Sequence, residues 1–300
     1  MPHRLMANLD HLSDSIKRFV VSQAYDTYTP VNHQTWVDIM AELKPFWNRD
    51  AHPDFLKGLE KTGISLDKLP CIEHIDESLK VYGWRAVTVD GYVHPEVFMG
   101  LQTQRIIPIA RDIRKPENLD YTPAPDIVHE AAAHVPLLIN EEYGDIVQKF
   151  GTLSLKAGFS QYDKDTYEAV RYLSQIKEDP NTDPAEIAQA EAELERVSAE
   201  EHVDSVGKKL TRFYWWTIEY GILGDINGQK SDRKVYGAGL LSSPGEGRMA
   251  LNGGAELLPL NHDAFEQEFD ITKPQPQLYV TPDFKTIDRL LDEFAAQHGL

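Results

Sequence analysis

The stretch Thr122-Pro-Ala-Pro-Asp126-Ile-Val-His129-Glu130-Ala-Ala-Ala-His134-Val-Pro136 decides how the rest of the chain is read. An alanine-rich helical turn, with two prolines before it and one after, carries two histidines five positions apart. At ~100° per residue on an ideal α-helix this spacing sets the side chains about 140° apart, a poorer match to one metal ion than the ~40° offset of an i,i+4 pair. Something must bring the second histidine round. Pro136 is expected to do so: proline disfavours helical backbone in the residue before it, so the helix should be ending at His134, which can then swing toward His129. On this segment alone, two capping or core histidines are the plain alternative.

Downstream, Phe213-Tyr-Trp215-Trp216-Thr-Ile-Glu219-Tyr220-Gly221 places one carboxylate within a run of aromatics on a helix expected to be buried, Ser205–Leu223. An unpaired buried carboxylate costs several kcal/mol or is forced to neutralise, so Glu219 needs a cation, a hydrogen-bond cluster or a metal. An ion pair with Arg or Lys is the simpler answer. Taken with His129 and His134, however, Glu219 completes two histidines and one carboxylate, the facial set that holds non-haem Fe(II) with positions left open. Zinc hydrolases use the same donor types, but their protease pattern needs His-Glu-x-x-His, and four residues rather than three separate these histidines.

Composition sets the class around this site. The chain has 300 residues, 41% hydrophobic and 26% charged, which describes a soluble globular protein and excludes fibrous and disordered classes. No run approaches the ~18 apolar residues of a membrane helix, and MPHRLMANLDHLSDS lacks a secretory core, so a cytoplasmic location is expected. A single cysteine, Cys71, excludes a disulfide framework or a thiolate metal site. With 30 basic and 48 acidic residues the net charge is −18, which disfavours nucleic acid and anionic membranes as partners. Ten acidic residues face only Lys177 and Arg196 between Lys177 and Asp204, so a net −8 sits in one solvated stretch.

No internal repeat or linker is visible, and one compact domain is the simplest parse. Thr35–Trp47 has helical spacing and Val81–Val89 is strand-like, bounded by Gly83, Asp90 and Gly91. Asp165–Glu178 reads as a helix ended by Pro180, and Asp183-Pro184-Ala-Glu186 starts another with an N-cap, a proline in the first turn and Glu at N3. Ile187, Ala190, Leu194 and Val197 give the second a narrow apolar stripe. A helical hairpin near 160–205 follows.

These residues resemble the pterin-dependent aromatic amino acid hydroxylases. The likeness runs through Tyr28-Thr-Pro-Val-Asn-His-Gln-Thr-Trp36, Ile113-Arg-Lys-Pro-Glu-Asn-Leu-Asp-Tyr121, Pro125-Asp-Ile-Val-His-Glu130, His134-Val-Pro-Leu137, Tyr214-Trp-Trp-Thr-Ile-Glu-Tyr-Gly221, Tyr236-Gly-Ala-Gly-Leu-Leu-Ser-Ser243 and Gln275-Pro276 through Val280, spanning roughly 28–290. The resemblance implies a mainly helical α+β fold with a few short strands in a single catalytic domain. It implies Fe(II) on His129, His134 and Glu219, and a tetrahydropterin stacked on Phe98, bonded by backbone near Gly91, Val93 and Pro95 and faced by Glu130. For the amino acid it implies Arg114 as the carboxylate clamp, a role suited to a fixed guanidinium fork. Thr122, Ser242 and Ser243 would position the polar end, Gly239 would lie in the same segment, and Pro125, Trp215 and Ile271 would line the aromatic slot.

Two positions can also be read from spacing. Trp215 lies four residues before Glu219 and so shares its helical face. Asp126 lies three before His129, nearly on the same face, which makes it a candidate partner for a ligand histidine or a bound water; helix N-terminal charge is its plainer role. Tyr236-Gly-Ala-Gly239 is a weak dinucleotide signal with no distal acid. Alone, Phe98 and Trp215 read as core and Gly91 as a turn glycine.

The chain departs from the family pattern at Ala133, where glycine is usual, at Pro244, where an aromatic is familiar, and in about forty-five extra residues near 160–205. About 28 residues precede the expected core, too few for a regulatory domain. The expected activity is hydroxylation of a free aromatic amino acid, L-phenylalanine to L-tyrosine, with O2 and pterin as the other small-molecule partners. Alternatives are the same chemistry on tryptophan or at another ring position for secondary metabolism, or a non-catalytic partner-binding protein with a vestigial iron site.

Overall fold

The computed structural model describes residues 14–91, 93–119, 126–178, 181–200, 203–271 and 273–300. Helices dominate it. α1 (Pro30–Asp50) is longer than its apolar spacing suggested, because Thr29 and Asn32 form a reciprocal cap and Pro30 occupies the first turn, where its missing N–H costs nothing. α2 (Pro53–Lys61) and α3 (Ile72–Leu79) follow. β1 (Arg85–Val89), α4 (Pro95–Thr103) and β2 (Ile106–Ala110) form a crossover unit, its strands parallel from Arg85 opposite Ile106 to Val89 opposite Ala110. Val87, Val89, Val97, Leu101 and Ile106 build a small core of their own here, against Ile16, Phe19, Val20 and Val93.

The first histidine segment runs into α5 (Glu141–Ala157), which packs on α4. The hairpin helices are α6 (Gln161–Glu178) and α7 (Pro184–Ser198). α6 starts four residues ahead of its sequence expectation because Ser160 and Asp163 cap each other: Ser160 N–H donates to Asp163 at 2.7 Å and Asp163 N–H to Ser160 Oγ at 3.1 Å. Pro180, expected to end α6, lies outside the described residues. In α7 Asp183 is the N-cap as expected, accepting from Ala185 N–H at 2.9 Å. Ala190 and Val197 are buried, while Ile187 and Leu194 are only half-buried.

The single helix expected over Ser205–Leu223 is corrected by the structure. α8 (Val206–Tyr214) passes into a π-helical segment, Trp215–Glu219, and the helix stops at Tyr220. Ile222 and Leu223 instead form β3, the middle of a four-stranded sheet ordered β4 (Lys234–Val235), β3, β6 (Gln277–Thr281) and β5 (Glu256–Pro259). The apolar pattern of Ile222 and Leu223 marks burial, and burial in a sheet reads the same as burial in a helix over so short a run. α9 (Ala238–Ser242), α10 (Pro244–Ala250) and α11 (Phe284–His298) complete the fold. The main core runs continuously from Trp36 and Trp47 through Phe150, Phe213 and Trp216 to Phe265 and Phe294. Among the described residues no helix is long and apolar enough to cross a membrane.

Candidate metal centre and its surroundings

The two histidines meet by a different device from the one their spacing suggested. Val128–His134 is itself π-helical, and His134 and Val135 both keep helical backbone angles, so Pro136 swings nothing outward. An i→i+5 bond spans one more residue than that of an α-helix and widens the turn, which brings positions five apart toward one face. The Nε2 atoms of His129 and His134 lie 3.2 Å apart, with the rings edge to face. The second π-helical segment delivers Glu219, whose Oε2 is 3.2 Å from His129 Nε2 and whose Oε1 is 3.1 Å from His134 Nε2. Both halves of the site thus rest on π-turns, a feature frequent at functional sites.

Three donor groups, each offering a ligand atom within 4.8 Å of the others, can close on one ion at the about 2 Å of a metal–imidazole bond. Burial opposes the charge on Glu219, and the two imidazoles overcome it, holding the carboxylate below its ordinary range; burial likewise opposes a proton on His129, and Glu219 outweighs it. Lone pairs converging in a buried place call for a cation, and the donor chemistry suits iron. His129 Nδ1 lies 3.0 Å from Ser242 Oγ, whose hydroxyl is 3.4 Å from the Gly239 carbonyl. With Nδ1–H donating to Ser242, the ring keeps its Nε2 lone pair for an ion.

Asp126 was expected as a partner of a ligand histidine or a bound water, with helix N-terminal charge as its plainer role. It meets His129 through the backbone, accepting its N–H at 3.0 Å, while the ring's partner is Ser242. Its carboxylate also takes Arg114 in a two-pronged pair, Nε at 2.7 Å and Nη2 at 2.9 Å, and accepts the Arg114 amide at 3.0 Å. Burial would raise this carboxyl, and Arg114 holds it below the usual range. Arg114 Nη1 donates to the carbonyls of Ser242 at 3.2 Å and Leu119 at 3.4 Å. Glu130 is buried, its carboxyl pushed up to about 8 by desolvation, and it accepts the Ala110 amide at the end of β2.

Other expected residues are met in varied roles. Trp215 is half-buried and stacks on Phe269, ring centres 4.3 Å apart and planes within 10°, with Tyr220 behind at 4.7 Å. Its Nε1 has no partner among the described residues. Ile271 is half-buried in a turn two residues past Phe269. Ser243 faces its own helix: its Oγ caps α10 by accepting Glu246 N–H at 3.3 Å, with Pro244 at the first helical position. Gly239 is a packing glycine, because a Cβ there would stand 2.8 Å from the Tyr220 ring and 3.1 Å from the Glu219 carbonyl. Thr122 and Pro125 lie outside the described residues.

The segment Gly91 to Phe98 leaves β1 beside the centre, since Val89 pairs with Ala110, whose amide meets Glu130. Gly91 turns there with φ +59°, backbone that favours glycine. Pro95 opens α4 behind a His94 cap, and the half-buried Phe98 meets Tyr214 edge to face at 6.4 Å. Sequence reasoning missed Phe269, Tyr214 and Tyr167, the last of which donates to the Val93 carbonyl at 2.6 Å. No periodicity distinguishes such aromatics from ordinary core.

The chain is 29% identical over 269 residues to the phenylalanine-4-hydroxylase of Pseudomonas aeruginosa, covering 89% of this chain and 84% of that one. It is 26% identical over 285 residues to the enzyme of Chromobacterium violaceum, covering 88% and 80%. A crystal structure of the C. violaceum phenylalanine hydroxylase with bound iron(III) and oxidised 7,8-dihydrobiopterin has the same fold, with a TM-score of 0.72 at 23% identity over 100% of this chain and 93% of that one. The pattern of the biopterin-dependent aromatic amino acid hydroxylases matches residues 18–174 and 182–298, breaking only around the joint between α6 and α7. With nearly the whole chain matched, and two histidines and a glutamate gathered on paired π-turns, the protein belongs to the biopterin-dependent aromatic amino acid hydroxylase family.

Proposed function

We propose that this protein converts free L-phenylalanine to L-tyrosine, holding Fe(II) with His129, His134 and Glu219 and a tetrahydropterin along Gly91, Val93, Pro95 and Phe98. The convergence of His129, His134 and Glu219, with each pair of side chains in contact at 3.1–3.2 Å, carries the reading. The names of the relatives, phenylalanine-4-hydroxylases from Pseudomonas aeruginosa to Bos taurus, support the substrate. Bound iron and reduced pterin supply the activation of oxygen; the chain's own residues bind, orient and dry the reactants.

Arg114 meets the amino acid's carboxylate while Asp126 fixes the guanidinium plane, so little side-chain freedom is lost on binding. Trp215, braced by Phe269 and Tyr220, gives the aromatic ring a rigid wall. Ser242 keeps the His129 proton on Nδ1 and Nε2 free for the metal. Glu130, whose carboxyl burial pushes up, would face the pterin beside the metal's open side. Phe98 offers the pterin a ring face. A cytoplasmic location suits the lone cysteine and the absence of a membrane-length helix among the described residues. Iron-loaded protein given tetrahydropterin, O2 and L-phenylalanine should yield L-tyrosine; a different hydroxylation product would move the assignment to another ring position or substrate.

A further inference from the structure

The hairpin does not stand clear of the candidate pterin loop. Tyr167, on the second turn of α6, donates its hydroxyl to the Val93 carbonyl at 2.6 Å and packs edge to face on His94, ring centres 5.2 Å apart. One turn earlier, Lys164 reaches Glu96 at 2.9 Å, so two side chains on one face of α6 hold two loop residues, Val93 and His94, and the first turn of α4. The base of α6 is itself anchored, because Asp163 accepts the Ser205 hydroxyl at 2.6 Å at the start of α8. Between this tether and the N-terminal segment lies a cleft of about 620 Å³ lined by Ile16, Phe19, Val97 and Leu155. His94 and Glu96 border this cleft together with Lys164 and Tyr167, while Val93 and Val97 pack on the small core beside β1, so the bonds from α6 hold the side of the loop that the core does not.

We infer that the α6–α7 hairpin braces the pterin loop, with Tyr167 as the positioning residue that fixes the Val93 carbonyl. The inference rests on the proposed pterin site. A carbonyl has two lone pairs, so Val93 can accept from Tyr167 and still present its second to a ligand; what Tyr167 sets is the plane of the peptide. An unbraced loop must be ordered by the pterin itself, at a cost in affinity. The Lys164–Glu96 pair is more exposed and contributes less.

The test is Tyr167→Phe in the full chain beside Phe98→Ala, with 7,8-dihydrobiopterin as the redox-inert probe in calorimetry. Loss of one positioning hydrogen bond is expected to weaken dihydrobiopterin about three- to ten-fold and to raise the KM for tetrahydropterin alike. The KM for phenylalanine, the iron content and the Tm should hold, and amide exchange across residues 91–98 should quicken in the protein without pterin. Unchanged pterin affinity in Tyr167→Phe with weakened affinity in Phe98→Ala overturns the brace and leaves the pterin site standing. Unchanged affinity in both, or no binding to wild type, overturns the site and the brace with it.

Discussion

Asp126 grips Arg114 with both carboxylate oxygens and, through the same two atoms, takes the backbone amides of Arg114 and His129. The residue assigned to the substrate carboxylate and the first metal-site histidine are thus held from a single buried side chain. Asp126→Asn removes the charge and turns one acceptor into a donor facing a guanidinium. Breaking a buried ion pair by changing one partner costs about 3–5 kcal/mol, so a clear fall in Tm is expected. Kinetics separate the roles: the KM for phenylalanine should rise ten-fold or more, by a larger factor than iron affinity falls. An iron-affinity loss with normal substrate KM would instead show that Asp126 acts on the histidine segment alone.

Replacing His129, His134 or Glu219 by Ala should abolish tight iron binding and pterin-dependent hydroxylation, because each removes one of only three protein donors among the described residues. The fold should persist, since the π-turns are held by backbone bonds and by apolar neighbours such as Val128, Ala131 and Ile218. Circular dichroism with metal analysis checks both halves. Wild-type metal content in any of the three variants would contradict the ligand assignment.

Ser242→Ala tests the hydrogen bond behind His129. It deletes the 3.0 Å partner of Nδ1 and leaves the backbone carbonyl that Arg114 uses. A ten- to hundred-fold loss of iron affinity is the usual scale for removing such a supporting contact. An unchanged metal dissociation constant would show that the ring needs no such partner.

How far the site could be read from the chain differs residue by residue. The donor types of His129, His134 and Glu219 were legible, but the π-turns that join them were not: their i→i+5 bonds arise from tertiary packing and leave no mark in apolar spacing. The same blindness extended one helix through Ile222 and Leu223 into what is a strand. Asp183, Pro184 and Glu186 carry local capping chemistry, and the start of α7 followed directly. Tyr167 was invisible, since its bond to Val93 spans 74 positions and nothing local distinguishes it from other half-buried tyrosines.

Joining the chain across the hairpin with a short Gly-rich linker should leave iron binding intact, because the stripe of α7 buries little beyond Ala190 and Val197. Pterin affinity should drop at least as far as in Tyr167→Phe, since the Lys164 contact goes too. An insoluble product would show that the stripe packs as true core.

In the proposed site, substrate choice is assigned to Trp215 and Ile271. The indole of Trp215 packs on both Phe269 and Tyr220, which restricts its yielding to a larger substrate ring, and an apolar Ile271 gives a phenolic hydroxyl no partner. Leaving that hydroxyl desolvated costs about 1–3 kcal/mol, enough to place tyrosine five-fold or more behind phenylalanine. Trp215→Phe should improve kcat/KM for tryptophan relative to phenylalanine. A wild-type protein faster on tryptophan or tyrosine would overturn the specificity while leaving the metal assignment standing.

The most direct test of the account is one turnover measurement on purified protein reconstituted with Fe(II), given tetrahydropterin, O2 and L-phenylalanine. L-tyrosine formed in step with pterin oxidation, and absent when iron is chelated, is the predicted result. Stoichiometric zinc in the purified protein with peptide or ester hydrolysis, and no hydroxylation of any aromatic amino acid by the iron form, would contradict it.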